Sequence, residues 1–215
     1  MGNEKLSPMM EAGVTVLIPS SVENVKLPAP ELITYYQNLE ERTFWIDGEV
    51  NDDLLELVKL ILQWNREDKK AGLKPQGRKP IKLYFFSPGG DLEVYRTLAD
   101  VIRASTTPVI GVNFGIAYSA AAMIFLACHE RYTLPSAYFL FHCGSSQMSG
   151  SYAEVSAAMD KYANDVAELT VLIQQSSTYT QEEVVANMGG DWYIDAQEAL
   201  NHRLVSKIVK SVDEL

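Results

Sequence analysis

Cysteine and histidine are scarce in this chain: 215 residues hold two of the first and three of the second. Cys128 and Cys143 form no zinc-type spacing and suit a reducing compartment. Long apolar runs are missing, since no stretch approaches the roughly 20 residues needed to cross a bilayer. The apolar run Val14 to Ile18, closed by Pro19, is too short for a secretory leader, and no small-residue cleavage site follows it. Positive charge is in deficit, with 18 Lys and Arg against 28 Asp and Glu and a net charge of -10. Such a surface repels phosphate backbones. No G-x-x-x-x-G-K-[ST] loop is present, so any ATP-driven work must come from a partner. These absences predict a cytoplasmic protein with no membrane segment and no nucleic-acid partner.

One basic cluster breaks the acidic trend: Lys69, Lys70, Lys74, Arg78 and Lys79, interleaved with Gly and Pro. It reads as a solvated loop over residues 66–80.

The residues that are present, 47% hydrophobic and 21% charged, are enough for one sizeable core. Residues 1–30, with Pro19, Pro28 and Pro30, read as an irregular arm, and residues 31–215 as a single domain. A strand is expected at Thr43 to Asp47. A helix follows from Asn51 or Asp52 to Trp64, with Leu54, Leu55, Val58, Ile61 and Leu62 on one face. Buried strands and helices then alternate. Ile81 to Phe86 precedes a helix from Asp91 to Arg103, and Val109 to Val112, ending near Gly115, precedes a helix from Ser119 to Cys128. Arg131 to Leu134 and Tyr138 to Phe141 complete the strand set. Strands apolar throughout and alternating with helices predict an α/β fold with largely parallel pairing.

The segment from Ser151 to Ser176 differs. Ser151 and Glu154 form a capping-box pattern, and Val155, Met159, Tyr162, Val166, Leu169 and Ile173 recur at helical spacing. At about 1.5 Å per residue this helix would span roughly 39 Å, longer than one face of such a core requires. Thr180 and Glu183 open a further capped helix to Met188. A last helix, Ala196 to His202, leads into a strand from Leu204 to Val209.

A general base near neutral pH is most often histidine. His129, in a polar turn, and His202, at a helix end, read as surface residues. His142 follows a buried strand, where α/β folds place their sites, although a satisfied core histidine would look the same. Ser119 sits where a strand hands over to an alanine-rich helix. Free N–H groups there can stabilise an oxyanion, and an ordinary N-cap serine is the bland alternative. Gly89 and Gly90 either bring backbone close to a ligand or make a tight turn.

Together these residues carry a family resemblance. Ser87-Pro88-Gly89-Gly90, Gly115-Ile116-Ala117-Tyr118-Ser119, Leu134-Pro135-Ser136 with His142, and Asp191 ahead of Ala196-Gln197-Glu198-Ala199-Leu200 resemble the Clp peptidase subunits over residues 42–209. The resemblance implies a crotonase-like stack of β-α units with a protruding handle helix over residues 151–176. It implies Ser119 as nucleophile, His142 as general base and Asp191 as its orienting carboxylate. The backbone N–H groups of Gly90 and Ala120 would form the oxyanion hole, with no metal and no cofactor. It also implies peptide or unfolded-protein substrates, homo-oligomeric hexameric or heptameric rings stacked in pairs, and an external AAA+ unfoldase.

The chain departs from the family in several places. The serine-to-histidine interval is slightly short. Tyr118 replaces a small residue before the serine and would narrow the substrate groove. Gly189 and Gly190 stand where charged residues commonly tie ring to ring. Of three aromatic positions in the unfoldase pocket Tyr84 remains, while Lys82 and Ala104 replace the others. Two alternatives share the fold: a catalytically inactive ring subunit and a crotonase-superfamily acyl-CoA enzyme. The ordered Ser, His and Asp favour the peptidase. A serine-lysine peptidase is disfavoured, because no lysine lies suitably near a helix-start serine.

Overall fold

The computed structural model describes residues 29–215 and, before them, the backbone of two short strands, β1 (Ser7–Glu11) and β2 (Val14–Ile18), paired antiparallel. The rest of the expected arm over residues 1–30 lies outside the described residues. The chain divides into two compact units, Met1–Glu41 and Arg42–Leu215. In the first, Pro30 opens helix α1 (Pro30–Glu40) from the position where its missing N–H costs nothing.

The second unit is built on a largely parallel sheet. Strand β3 (Thr43–Ile46) pairs with β4 (Ile81–Ser87), β4 with β5 (Val109–Tyr118), and β5 with β6 (Glu130–Thr133), which carries the short β9 (Lys207–Ile208). Ile81, Leu83 and Phe85 are fully buried on one face of β4, as is Val109 at the start of β5, while Lys82, Tyr84 and Phe86 on the other face of β4 stay partly open, so this strand alternates rather than being apolar and buried throughout.

Strand β5 does not end near Gly115 as expected but runs ten residues, to Tyr118. Its length lets it change partners. Ile110 to Asn113 pair with β6, and Ile116 to Tyr118 pair with β7 (Tyr138–Phe141). Asn113, fully buried, occupies the fork. Its side chain donates to the Tyr138 carbonyl (2.9 Å) and accepts from the Gly115 N–H (3.0 Å). Strand β8 (Trp192–Asp195) then adds antiparallel to β7, pairing Phe141 with Trp192.

Helix α2 (Leu55–Lys70) follows a short 3-10 turn and is longer than expected, so Lys69 and Lys70 lie on its last turn, not in a loop. Its buried face is Leu57, Ile61, Trp64 and Asp68, whereas Leu62 is exposed. Arg78, another member of the basic cluster, binds Thr106 and Thr107 and fastens the loop to the turn before β5. The cluster is thereby dispersed.

Helices α3 (Leu92–Ala104) and α4 (Ala120–Ala127) cover the sheet. Every residue of α4 is buried, which its alanines permit. Helix α5 (Tyr152–Gln175) is a 24-residue rod, about 36 Å long at the usual rise. The Ser151–Glu154 capping box opens it. Its apolar stripe is used unevenly: Leu169 and Ile173 are buried within this unit, while Met159 is 60% exposed. Helices α6 (Gln181–Asn187) and α7 (Ala196–Asn201) flank β8 in sequence. The expected strand over Leu204 to Val209 reduces to Lys207–Ile208. Among the described residues, no helix is long and apolar enough to cross a membrane.

Candidate active site

Strand register alone brings four distant segments to one edge of the sheet. Parallel pairing sets Tyr118 beside Leu140, so the residues that follow, Ser119 and His142, leave the sheet at the same end. The Ser119 N–H donates to the Leu140 carbonyl at 2.8 Å and locks this arrangement. Antiparallel pairing of Phe141 with Trp192 places Asp191, one residue before β8, opposite His142. Parallel pairing of Ser87 with Ala117 brings Gly89 and Gly90 against Ser119 and Ala120. The carboxyl ends of parallel strands are where such folds bind ligands.

The side chains meet accordingly. Ser119 Oγ lies 2.8 Å from His142 Nε2. His142 Nδ1 lies 3.4 Å from Asp191 Oδ1, with the two side chains 30% and 60% exposed. Ser119 adopts φ 52° and ψ -125° and makes no side-chain capping bond, so it is not the N-cap serine that its position also allowed. A non-glycine residue held there costs of order 1–3 kcal/mol and persists only where the surroundings impose it. Here the sharp strand-to-helix turn lifts the hydroxyl off the sheet toward the imidazole.

Gly89 (φ 97°) and Gly90 (φ 152°) cannot be replaced without collision. A Cβ on Gly89 would lie 2.6 Å from the Tyr118 carbonyl oxygen, and one on Gly90 would strike the backbone of Val50. The bridge between Val50 and Gly90 uses the Gly89 carbonyl and the Asp91 N–H, both at 2.8 Å. In a parallel bridge this turns the Gly90 N–H to the opposite side. The Ala120 N–H, in the first turn of α4, has no carbonyl behind it within the helix.

A cavity of about 220 Å³ opens beside these groups, lined by Gly90, Leu92, Ser119, Ala120, Met123, His142 and Leu169, with Tyr162 at its wall. Leu92, Met123 and Leu169 contribute apolar surface beside the polar groups of Ser119 and His142. The Tyr118 ring is not part of this cavity wall and meets Tyr193 edge to face at 5.8 Å. Burial raises the Tyr118 phenol above its usual range, with Tyr193 and Tyr138 nearby adding to the rise.

The other histidines do different work. His129 is exposed, and its Nδ1 accepts the Val109 N–H at 3.1 Å, which ties a turn to β5. His202 is half-buried, not a free surface residue, and stacks on Tyr179 with centroids 3.8 Å apart. Cys128 is buried and its thiol is pushed up to about 12 by desolvation, whereas Cys143 lies beside His142 in the cavity wall. Tyr84, read as the last aromatic of its group, packs with Trp45 (5.0 Å) and Phe114 (4.7 Å). That patch is more aromatic than the sequence positions implied.

A strained serine, an imidazole and a carboxylate gathered at one sheet edge form a constellation suited to acyl transfer. The chain belongs to the Clp protease family, whose sequence profile matches residues 29–212. It is 27% identical over 187 residues to the ATP-dependent Clp protease proteolytic subunit 2 of Treponema pallidum, covering 86% of this chain and 90% of that protein. It is 30% identical over 138 residues to the subunit 2 of Pseudomonas aeruginosa, covering 63% and 69%. Among solved structures it resembles a ClpP1 mutant from Listeria monocytogenes, with a TM-score of 0.70 and 23% identity over 84% of this chain and 98% of that one. The acyl-CoA alternative finds no support in these comparisons.

Proposed function

We propose that this protein is a serine endopeptidase of the Clp type, working through Ser119, His142 and Asp191. The observation that carries the reading is the 2.8 Å contact from Ser119 Oγ to His142 Nε2, made by a serine in a strained backbone state. His142 Nε2 takes the hydroxyl proton as Ser119 attacks the peptide carbonyl. Asp191 holds the Nδ1–H tautomer and stabilises the imidazolium that forms. The oxyanion is met by the N–H groups of Gly90 and Ala120, and such donors are typically worth roughly 2.7–4 kcal/mol each. His142 then returns its proton to the leaving amine, and water hydrolyses the acyl-enzyme by the same route.

The substrates are peptides or unfolded segments. The protein works as a homo-oligomeric ring, hexameric or heptameric and stacked in pairs, in the cytoplasm. Folded proteins require an external AAA+ unfoldase. The aromatic group of Trp45, Tyr84 and Phe114 supports retention of an apolar docking patch despite Lys82 and Ala104.

The deciding experiment is labelling with a serine-directed fluorophosphonate, read beside hydrolysis of a short fluorogenic peptide. Wild-type protein takes one label per chain, and Ser119→Ala takes none and hydrolyses nothing while staying folded. Retained hydrolysis in Ser119→Ala rules out the assignment, and unlabelled, inactive wild-type protein points to an inactive ring subunit.

A further inference from the structure

We infer that Tyr162, on the long helix α5, is a positioning residue that sets the orientation of His142, an inference that rests on the peptidase reading above. The sheet ends at Phe141, and the next regular element begins at Tyr152. His142 is the first residue of that irregular stretch, so its ring position depends on what holds the backbone just beyond it.

The Tyr162 hydroxyl holds that backbone. It donates to the Cys143 carbonyl at 2.7 Å and, as a shared bond, to the Gly144 carbonyl at 3.2 Å. Gly144, at φ 80°, supplies the left-handed turn that follows His142 and Cys143. From the other side, the Cys143 thiol donates to the Met188 carbonyl at 3.1 Å, three residues before Asp191. The residues following the base are thus fastened to α5 on one flank and to the segment bearing the carboxylate on the other.

The post that carries Tyr162 is itself fixed. Lys161 binds Glu93 at 2.6 Å and Asp165 at 3.1 Å, and Asp165 also binds Arg96. Glu93 and Arg96 belong to α3, which begins just after Gly90. One chain of contacts therefore references the base to the oxyanion segment through α3 and α5. The Tyr162 ring also lines the cavity beside Ser119, so a contact with substrate is the rival role for this residue.

The two roles separate in kinetics. Tyr162→Phe keeps the ring and removes only the hydroxyl. It is expected to lower kcat roughly tenfold with KM unchanged, because small misplacements of a base are amplified in rate. Fluorophosphonate labelling of Ser119, which needs no peptide in the cavity, should slow by the same factor. Lys161→Met, which loosens the post without entering the cavity, should lower kcat less. In the double variant the two losses should fail to add, as for residues in one network. An unchanged kcat in Tyr162→Phe, a change in KM alone, or additive losses each overturn the positioning role. So does a Tyr162→Phe loss matched by a fall in assembled mass. If wild-type protein takes no label, the peptidase reading fails instead.

Discussion

The His142 imidazole faces Asp191 across 3.4 Å, and 60% of that carboxylate side chain is open to solvent. A buried triad aspartate is worth about 10⁴ in turnover when converted to asparagine, because the wrong tautomer is then favoured. Solvent weakens the charge term here but leaves the tautomer term in place. Asp191→Asn is therefore expected to lower kcat by about 10²–10³ on a fluorogenic peptide, with the fold intact. Near-normal turnover would remove Asp191 from the site.

Gly89 presses on Ser119. A Cβ there would come within 2.7 Å of Ser119 Cβ, at a φ of 97° that side chains rarely adopt. Gly89→Ala should reduce kcat/KM by at least about 100-fold, since Ser119 and the Ala120 N–H move together. Gly77→Ala, with nothing within 4 Å of its added carbon, serves as the control and should leave activity unchanged. Full activity in Gly89→Ala would mean that this loop does not shape the site.

Much of the candidate site was legible in the sequence, for a physical reason. Ser119, His142 and the Gly89–Gly90 pair each follow a buried apolar strand, and the carboxyl ends of parallel strands share one edge. Asp191 was legible only by resemblance, because the strand that positions it, Trp192–Asp195, is only four residues long. The run Trp192, Tyr193 and Ile194, all strand-favouring residues, is the sequence signal for it. The fork in β5 was hidden because Asn113 and Gly115 look like the end of a strand, whereas Asn113 fills the place where the strand changes partners. Tyr162 was counted as part of an apolar seam, since spacing cannot show that its hydroxyl turns to two carbonyls.

Asp68 gives the unit an acid-sensitive anchor. Its carboxylate, 3% exposed, accepts from both terminal nitrogens of Arg42 at 2.8 Å and from Thr107 at 2.7 Å. The Arg42 guanidinium holds its pKa below the usual range against the opposing effect of burial. A folded-state pKa below the unfolded value near 3.9 gives stability that is complete above that pH and is lost as pH falls through the folded value. Asp68→Asn should cost about 3 kcal/mol at pH 7, the scale for breaking a buried pair. The gap from wild type in urea midpoints should narrow as pH drops below about 4. A gap independent of pH would show that the charge of Asp68 contributes nothing.

Assembly is the remaining expectation, and the open half of α5 is where it can be tested. Leu169 and Ile173 are spent inside the unit, but Tyr152 is 91% and Met159 60% exposed on the same rod, with Val155 half-buried between them. An apolar stripe on an exposed helix face is covered at least cost by a copy of itself, since closed symmetry buries the same surface in every subunit. Light scattering at micromolar concentration should give a mass of a hexamer or heptamer, or twice that, of the 24.0 kDa chain. Met159→Lys places a charge in the stripe without touching the Ser119 cavity. It should shift the population toward smaller species and lower peptidase activity only in proportion to the assembled fraction. A monomeric wild-type mass would sink the ring proposal, and an unchanged mass in Met159→Lys would move the interface off this stretch of α5.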